Sequence, residues 1–291
     1  MTDASLPAAG ADEDDLFAFA YALGWRAAGS AAGAHRSGTV GGGSDFHDFT
    51  AYERAPDGRR IDPRATARDP FGRLQVRRYK TRNRIGVEMI VDASGSMGFR
   101  GDVWKPALAG RLAAAVALAA RRNGDRFGLT VARGGDAQVL HAPGPAPAAA
   151  AIDAAVAEMV PSGRGTAGLE AAAAALPPRR RLVFLVSDFR FPRPALDDLA
   201  DRLAIHDVVP VELADPAEAR WPRWGLGDVA DLETGARRMV LFRPALARRL
   251  SAAETERRAG LAARFAELGR RPFRVEGRLD LAALAAHLLE V

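Results

Sequence analysis

Two short stretches, IGVEMIV at 85–91 and LVFLV at 182–186, are apolar at almost every position. A strand with one wet face alternates apolar and polar residues. A strand apolar throughout needs cover on both faces, which is the condition of a parallel sheet sandwiched between helices. Further strand-like runs occur at 127–132 (FGLTVA), 137–140, 207–213 (DVVPVEL) and 239–242. Between most of them, apolar residues recur every three or four positions: Leu108, Leu112, Val116 and Ala119; Ile152, Val156, Met159 and Val160; Leu196, Leu199 and Leu203. This alternation predicts an α/β fold over 85–291, a doubly wound, mostly parallel sheet flanked by helices. A long helix near 244–269 and a last one near 279–289 would complete it.

The chain ahead of this domain has a different character. Residues 1–29 are acidic and small, and are expected to be partly disordered, with a short helix over 16–28. Residues 30–84 are Arg-rich and read as a small irregular segment of loops, with a turn at PDG (56–58) and a strand within 71–80. Two Arg against eight acids make residues 1–53 net −6, whereas ten Arg and one Lys against three acids make 54–84 net +8. Of 41 basic residues only Lys80 and Lys105 are lysines. The basic segment reads either as a solvated face or as a surface for an anionic partner. Nucleic acid is disfavoured, because no aromatic residues are interleaved as a stacking platform and no reading helix is evident. The absence of cysteine excludes disulfides and thiolate-zinc sites. No apolar run approaches the ~20 residues of a membrane-spanning helix. The acidic N-terminus lacks the layout of a signal peptide, so a cytoplasmic protein is expected.

Where the first apolar strand runs out, IVDASGSMGF (90–99) places Asp92, Ser94 and Ser96 at alternate positions. Thr166 lies in the glycine-rich SGRGTAG, and Asp188 follows the strand 182–186 directly. In open α/β sheets, ligands bind at the carboxyl ends of the strands. All five side chains are oxygen donors, which suits Mg2+ or Mn2+ rather than zinc or copper. Two aspartates supply only two charges, so an ion held there would want a further anionic oxygen from outside. The same residues also suit turns and helix caps.

GRGTAG (163–168) also satisfies G-x-G-x-x-G, with Asp188 about twenty residues on, but that dinucleotide fingerprint needs a strand before its first glycine. AIDAAVAEMV has helical spacing instead. A Mg-dependent phosphoester hydrolase is the enzymatic alternative, since Mg2+ can activate water. Against it, none of His35, His47, His141, His206 and His287 sits in an informative motif, and nothing resembles a phosphate-binding loop. Trp221 and Trp224, in ARWPRWGLGD, read as partner anchors or as cover for a sheet edge.

D-x-S-x-S at a strand end, a Thr in a Gly-rich loop and an Asp after a later strand resemble, over 85–213, the metal-ion-dependent adhesion site of von Willebrand factor A domains. The resemblance implies direct coordination by Ser94, Ser96 and Thr166, with Asp92 and Asp188 acting directly or through water. A partner's Glu or Asp carboxylate would fill the sixth position, with Phe99, Gly165 and Phe189 as neighbouring partner contacts. A second resemblance covers most of the chain. GGGSDFHDFTAYERAPDGRRIDPRATAR, VDASGSM, WKPALAGRLAAAVALAARRNGDRFGL, VSDF and HDVVPVELADPAE…DVADLETG are similar to the bacterial DUF58 family. Its members are often encoded beside AAA+ ATPases of the MoxR type. That implies an adaptor or co-chaperone in the assembly or maturation of other proteins, methanol oxidation being one setting, and not an enzyme. Many relatives carry N-terminal membrane helices that this sequence lacks, and the Asp-Trp common after the arginine turn is here Asp62-Pro63.

Overall fold

The computed structural model describes residues 15–16, 18–20, 22, 40–80 and 85–290. Most of the acidic N-terminus, Trp25 and His35 lie outside the described residues. The chain divides into two compact units, residues 32–84 and residues 1–31 together with 85–291.

In the smaller unit, β1 (Val40–Ala51) and β2 (Gln75–Lys80) pair antiparallel, with α1 (Pro63–Arg68) between them. Sequence alone predicts loop over most of this segment. The glycine-rich stretch carries no period of its own, and its strand conformation comes from the ladder offered by β2, with two register shifts on the way. Asp62 accepts from Ala65 N (2.8 Å) at the start of α1, Pro63 occupies the first turn, and Arg77 pairs with the same carboxylate. Arg78 pairs with Asp48, Arg60 with Asp57 and Arg73 with Asp69. Part of the segment's positive charge is thereby matched locally.

The larger unit is the α/β domain. Its six-stranded sheet runs in the order β10-β7-β6-β3-β4-β5, from Phe273–Glu276 (β10), Asp207–Ala214 (β7), Leu182–Ser187 (β6), Gly86–Asp92 (β3), Arg126–Arg133 (β4) and Asp136–Pro145 (β5). All neighbours are parallel except β4 with β5. The helices are α2 (Lys105–Asn123), α3 (Ala149–Ala157), α4 (Ala167–Ala174), α5 (Arg193–Leu203), α6 (Pro244–Glu267) and α7 (Leu281–Leu289). No helix of the described residues is long and apolar enough to cross a membrane.

Both sheet faces are covered, which is why β3 and β6 read as continuous apolar runs. Val87, Met89 and Val91 face one core with α2, α3 and α7, while Ile90 faces the other with Val183, Leu185, α4, α5 and α6. Phe19, Ala20 and Ala22 join the first core, and Asn123 Nδ2 donates to the Ala20 carbonyl (2.9 Å). Two elements depart from expectation. The strand expected at 239–242 is not in the main sheet. It is β9 (Arg237–Phe242), paired antiparallel with β8 (Gly225–Ala230) as a separate ribbon. The end of ARWPRWGLGD is thus strand. β10 is not anticipated by the sequence pattern, because four residues are too few to show a period.

Candidate metal centre

The sheet order creates the site. From β3 the chain turns to β4 on one side and returns through β6 on the other, so the carboxyl ends of β3 and β6 flank the switch point where ligands bind in such sheets. Asp92 is the last residue of β3 and Asp188 the first after β6. They are brought together although 96 positions apart, because β3 and β6 are hydrogen-bonded neighbours.

Asp92 Oδ1 accepts from Ser94 N (2.8 Å) and Oδ2 from Ser187 Oγ (2.5 Å). Ser94 Oγ lies 3.3 Å from Ser96 Oγ, and Ser96 Oγ donates to Asp188 Oδ1 (3.1 Å). Asp92, Ser94, Ser96 and Asp188 therefore form one connected set. Thr166 follows a loop that is tied to the one after β3: Gly95 N donates to the Gly163 carbonyl (2.9 Å) and Ser162 N to that of Ala93 (2.8 Å). Its hydroxyl donates to Glu170 Oε1 (2.8 Å), one turn into α4, which leaves the oxygen lone pairs available for ligation. The turn-and-cap reading of these residues is realised in part, since Asp92 closes an Asx-type turn on Ser94 and Asp188 accepts from Arg190 N (3.2 Å).

The donor chemistry fits a hard dication. Every contributing atom is oxygen, and Asp92 is 2% exposed. Burial, with the negative charge of Asp188 added, pushes the Asp92 carboxyl up to about 6. A cation between the two acids would relieve that cost. Among the described residues no three His, Cys, Asp or Glu groups converge closely enough to hold an ion by themselves, so an ion here would also need the serine and threonine hydroxyls.

Several participants carry no motif in the sequence. Lys105, the first residue of α2 and fully buried, donates to Asp188 Oδ2 (2.7 Å) and to the Ser96 carbonyl (3.0 Å), and pairs with Glu218 Oε1 (2.6 Å). A lone lysine in an arginine-biased domain is the available signal. Asp215, after β7, accepts from the amides of Gly101 (3.0 Å), Asp102 (3.0 Å), Val103 (3.1 Å) and Ala217 (2.8 Å), and so anchors the loop that follows Ser96. Burial opposes its charge, but the four N–H donors outweigh it and hold the carboxyl below the usual range. A depressed carboxyl contributes stability above its unfolded pKa of ~3.9 and loses it as pH falls further. Asp215→Asn should therefore cost about 2–4 kcal/mol at neutral pH. In denaturant titrations the deficit should narrow below pH ~4. An equal deficit at all pH values would mean that the charge is not what holds the loop.

The tip between β8 and β9 also reaches the site. The Leu232–Glu233 backbone packs on Gly95, and burial, with the charges of Asp231 and Asp188, pushes the Glu233 carboxyl upward against the opposing Gly165 N–H and Arg164. Of the expected partner contacts, Gly165 is exposed and Phe99 half-buried. Phe189 is 2% exposed and packs against Phe191 and Phe265, so its ring belongs to the core and is not offered to a partner. Trp221 and Trp224 are both exposed, and Trp221 stacks on Phe242.

The dinucleotide and hydrolase alternatives gain no support here. α3, not a strand, precedes GRGTAG, and Gly168 is needed because a Cβ there would overlap the Arg133 carbonyl. His206 lies just before β7 and His287 accompanies the start of β10, both at the opposite end of the sheet, while His141 sits mid-strand on β5.

The model of the family described as "Protein of unknown function DUF58" matches residues 48–260. Over 101 residues the chain is 39% identical to a Paracoccus denitrificans protein described as "Uncharacterized protein in moxR 3'region", covering 34% of this chain and 96% of that one. It is 28% identical to an uncharacterised Mycobacterium tuberculosis protein, over 79% of this chain and 74% of the relative. Among solved structures it is similar to BatB from Bacteroides thetaiotaomicron (TM-score 0.44, 15% identity, 70% of this chain and 97% of that chain). It is also similar to the SpRpn10 VWA domain (TM-score 0.39, 12% identity, 70% and 94%).

Proposed function

The chain belongs to the DUF58 family, and on that footing we propose that it is a metal-dependent protein-interaction module, an adaptor and not an enzyme. The observation that carries this reading is the connected oxygen set of Asp92, Ser94, Ser96 and Asp188 at the sheet's switch point. Mg2+ or Mn2+ held by these residues and Thr166 would supply a hard electrophilic point for a partner's Glu or Asp carboxylate. The chain's own residues pre-arrange that point. Lys105 fixes Asp188 through Oδ2 and leaves Oδ1 toward Ser96. Ser187 and the Ser94 amide fix Asp92, and Asp215 fixes the loop beyond.

The partner class we propose is a MoxR-type AAA+ ATPase, or a client handled with one, in the assembly or maturation of another protein. Support comes from the Paracoccus denitrificans relative, which is described by its place in the moxR 3' region. The test is a pull-down of a neighbouring MoxR-type ATPase with Mg2+, with EDTA, and with Asp92→Asn. Ser96→Ala serves as a second variant that spares the buried Asp92 contacts. Retention should fall roughly tenfold or more in each case, equivalent to ~1.4 kcal/mol of binding. Undiminished retention in EDTA and in both variants would end this reading.

A further inference from the structure

The β8–β9 ribbon is fastened on one face and bare on the other. Residues two apart in a strand share a face, and Leu226 pairs with Leu241 and Asp228 with Met239 across the ladder. On the inner face Phe242 is buried, Trp221 stacks on it, and Gly227 makes room for its ring, to which a Cβ would come within 2.9 Å. The outer face carries Leu226, Met239 and Leu241, with Trp224 two residues before Leu226, and all four are between 49% and 69% exposed. A ribbon covered on one face only is expected to alternate apolar and polar residues. This one does not, and its outer side chains join neither core of the domain. They bare apolar surface on the order of a few hundred Å², the size of the largest patch on a typical monomer, which is often functional. Charge around the face is lopsided. Arg223 and Arg243 flank the two strands at the Trp224 end, and Arg248 and Arg249 follow early in α6. All four are exposed, and none has an ion pair among the described residues. The ribbon's acids are already engaged: Asp228 pairs with Arg237 (2.7 Å), and Asp231 accepts from Glu233 N (2.9 Å) and Thr234 Oγ1 (2.8 Å).

We propose that the outer face of the β8–β9 ribbon docks an acidic, amphipathic segment of a partner protein, its apolar side chains on Leu226, Met239 and Leu241 and its carboxylates toward Arg223 and Arg243. The free arginines decide the occupant. A second copy of this chain would bring them like charges and engaged acids, and a purely apolar segment would leave them unmatched. A nucleic acid would find one aromatic ring to stack on, that of Trp224, beside three aliphatic side chains. The face also continues the candidate metal centre, because the turn at the ribbon's tip packs its backbone on Gly95, between Ser94 and Ser96. The proposal rests on the protein-interaction reading above but needs no metal.

The probe is a fluorescein-labelled decapeptide alternating leucine with glutamate, titrated with the full chain in EDTA and followed by fluorescence anisotropy. The same peptide with lysine in place of glutamate is its control, and should bind at least tenfold more weakly. Leu226→Ser combined with Leu241→Ser should weaken binding of the glutamate peptide about tenfold, and so should Arg223→Glu combined with Arg243→Glu. The second loss should shrink as salt is raised. Because all four positions are exposed, thermal unfolding of both variants should stay within a few degrees of that of the unaltered chain. Equal binding by the unaltered chain and both double variants, or equal binding of the two peptides, overturns the inference. A dimer in sedimentation that Leu226→Ser with Leu241→Ser converts to monomer overturns it too, because a second copy then covers the face. So does binding to phosphatidylglycerol vesicles, lost in the same variant, with none to the peptide, which assigns the face to a membrane. Working in EDTA keeps this result apart from the metal test. Peptide binding here with an ATPase pull-down indifferent to Mg2+ leaves the ribbon site standing alone, and the converse leaves the metal reading standing alone.

Discussion

Lys105→Met is expected to destabilise the domain by about 3–5 kcal/mol, the cost of breaking a buried ion pair from one side. The Lys105 ammonium is wholly enclosed and touches Asp188, Glu218 and the Ser96 carbonyl. Methionine fills a similar volume, so little of the loss should come from packing. What remains is Asp188 at 2% exposure without its countercharge. The unfolding midpoint in urea should drop accordingly, and thermal unfolding by roughly 10 °C. Removing an acid as well, in Lys105→Met with Glu218→Gln, should return part of the loss, because the two sites share one interaction. Millimolar Mg2+ should stabilise Lys105→Met more than the unaltered chain, since a dication replaces the missing charge. A deficit under about 1 kcal/mol, typical of an exposed pair, would show that Lys105 does not organise the site.

Arg181→Met should cost a similar ~3–5 kcal/mol, at the other end of the sheet. Glu88 sits inside the apolar run of β3, and Arg181, just before β6, pairs with it. Both are 5% exposed. The space is made by glycine: a Cβ at Gly128, on β4, would overlap Glu88 Oε2. Burial raises the Glu88 carboxyl, and the nearby Arg181 and Arg126 pull it back only in part. A carboxyl raised in the folded state costs stability once pH climbs above its unfolded value of ~4.3. Without Arg181 the carboxyl would rise further. The deficit of Arg181→Met should therefore be largest at neutral pH and shrink as pH is lowered and Glu88 protonates. Glu88→Gln in the same chain should recover part of it. A deficit that grows on acidification would contradict this assignment.

Asp92 and Asp188 are legible as a pair because each ends an apolar run, and a strand end in an α/β sheet points to a ligand site. Lys105 and Glu233 are not. Lysine at a helix start and glutamate in a turn are ordinary on a surface, and only the packing of α2 under Asp188 and of the hairpin on Gly95 gives them meaning. Phe189 shows the converse error. Adjacent in sequence to a site residue, it turns into the second core at φ 52°.

The amino-acid order by itself determined the layers. Fully apolar strands, with period 3.6 between them, leave a covered parallel sheet as the only way to bury both faces. The oxygen-only donor chemistry followed from residue type alone. Which strands are neighbours, that β8 and β9 leave the sheet as a ribbon, and which buried charges meet were decided by tertiary structure. Side-chain periodicity reports which face is buried but carries no information on what lies against it, and charge pairing acts across space between residues that the chain keeps far apart.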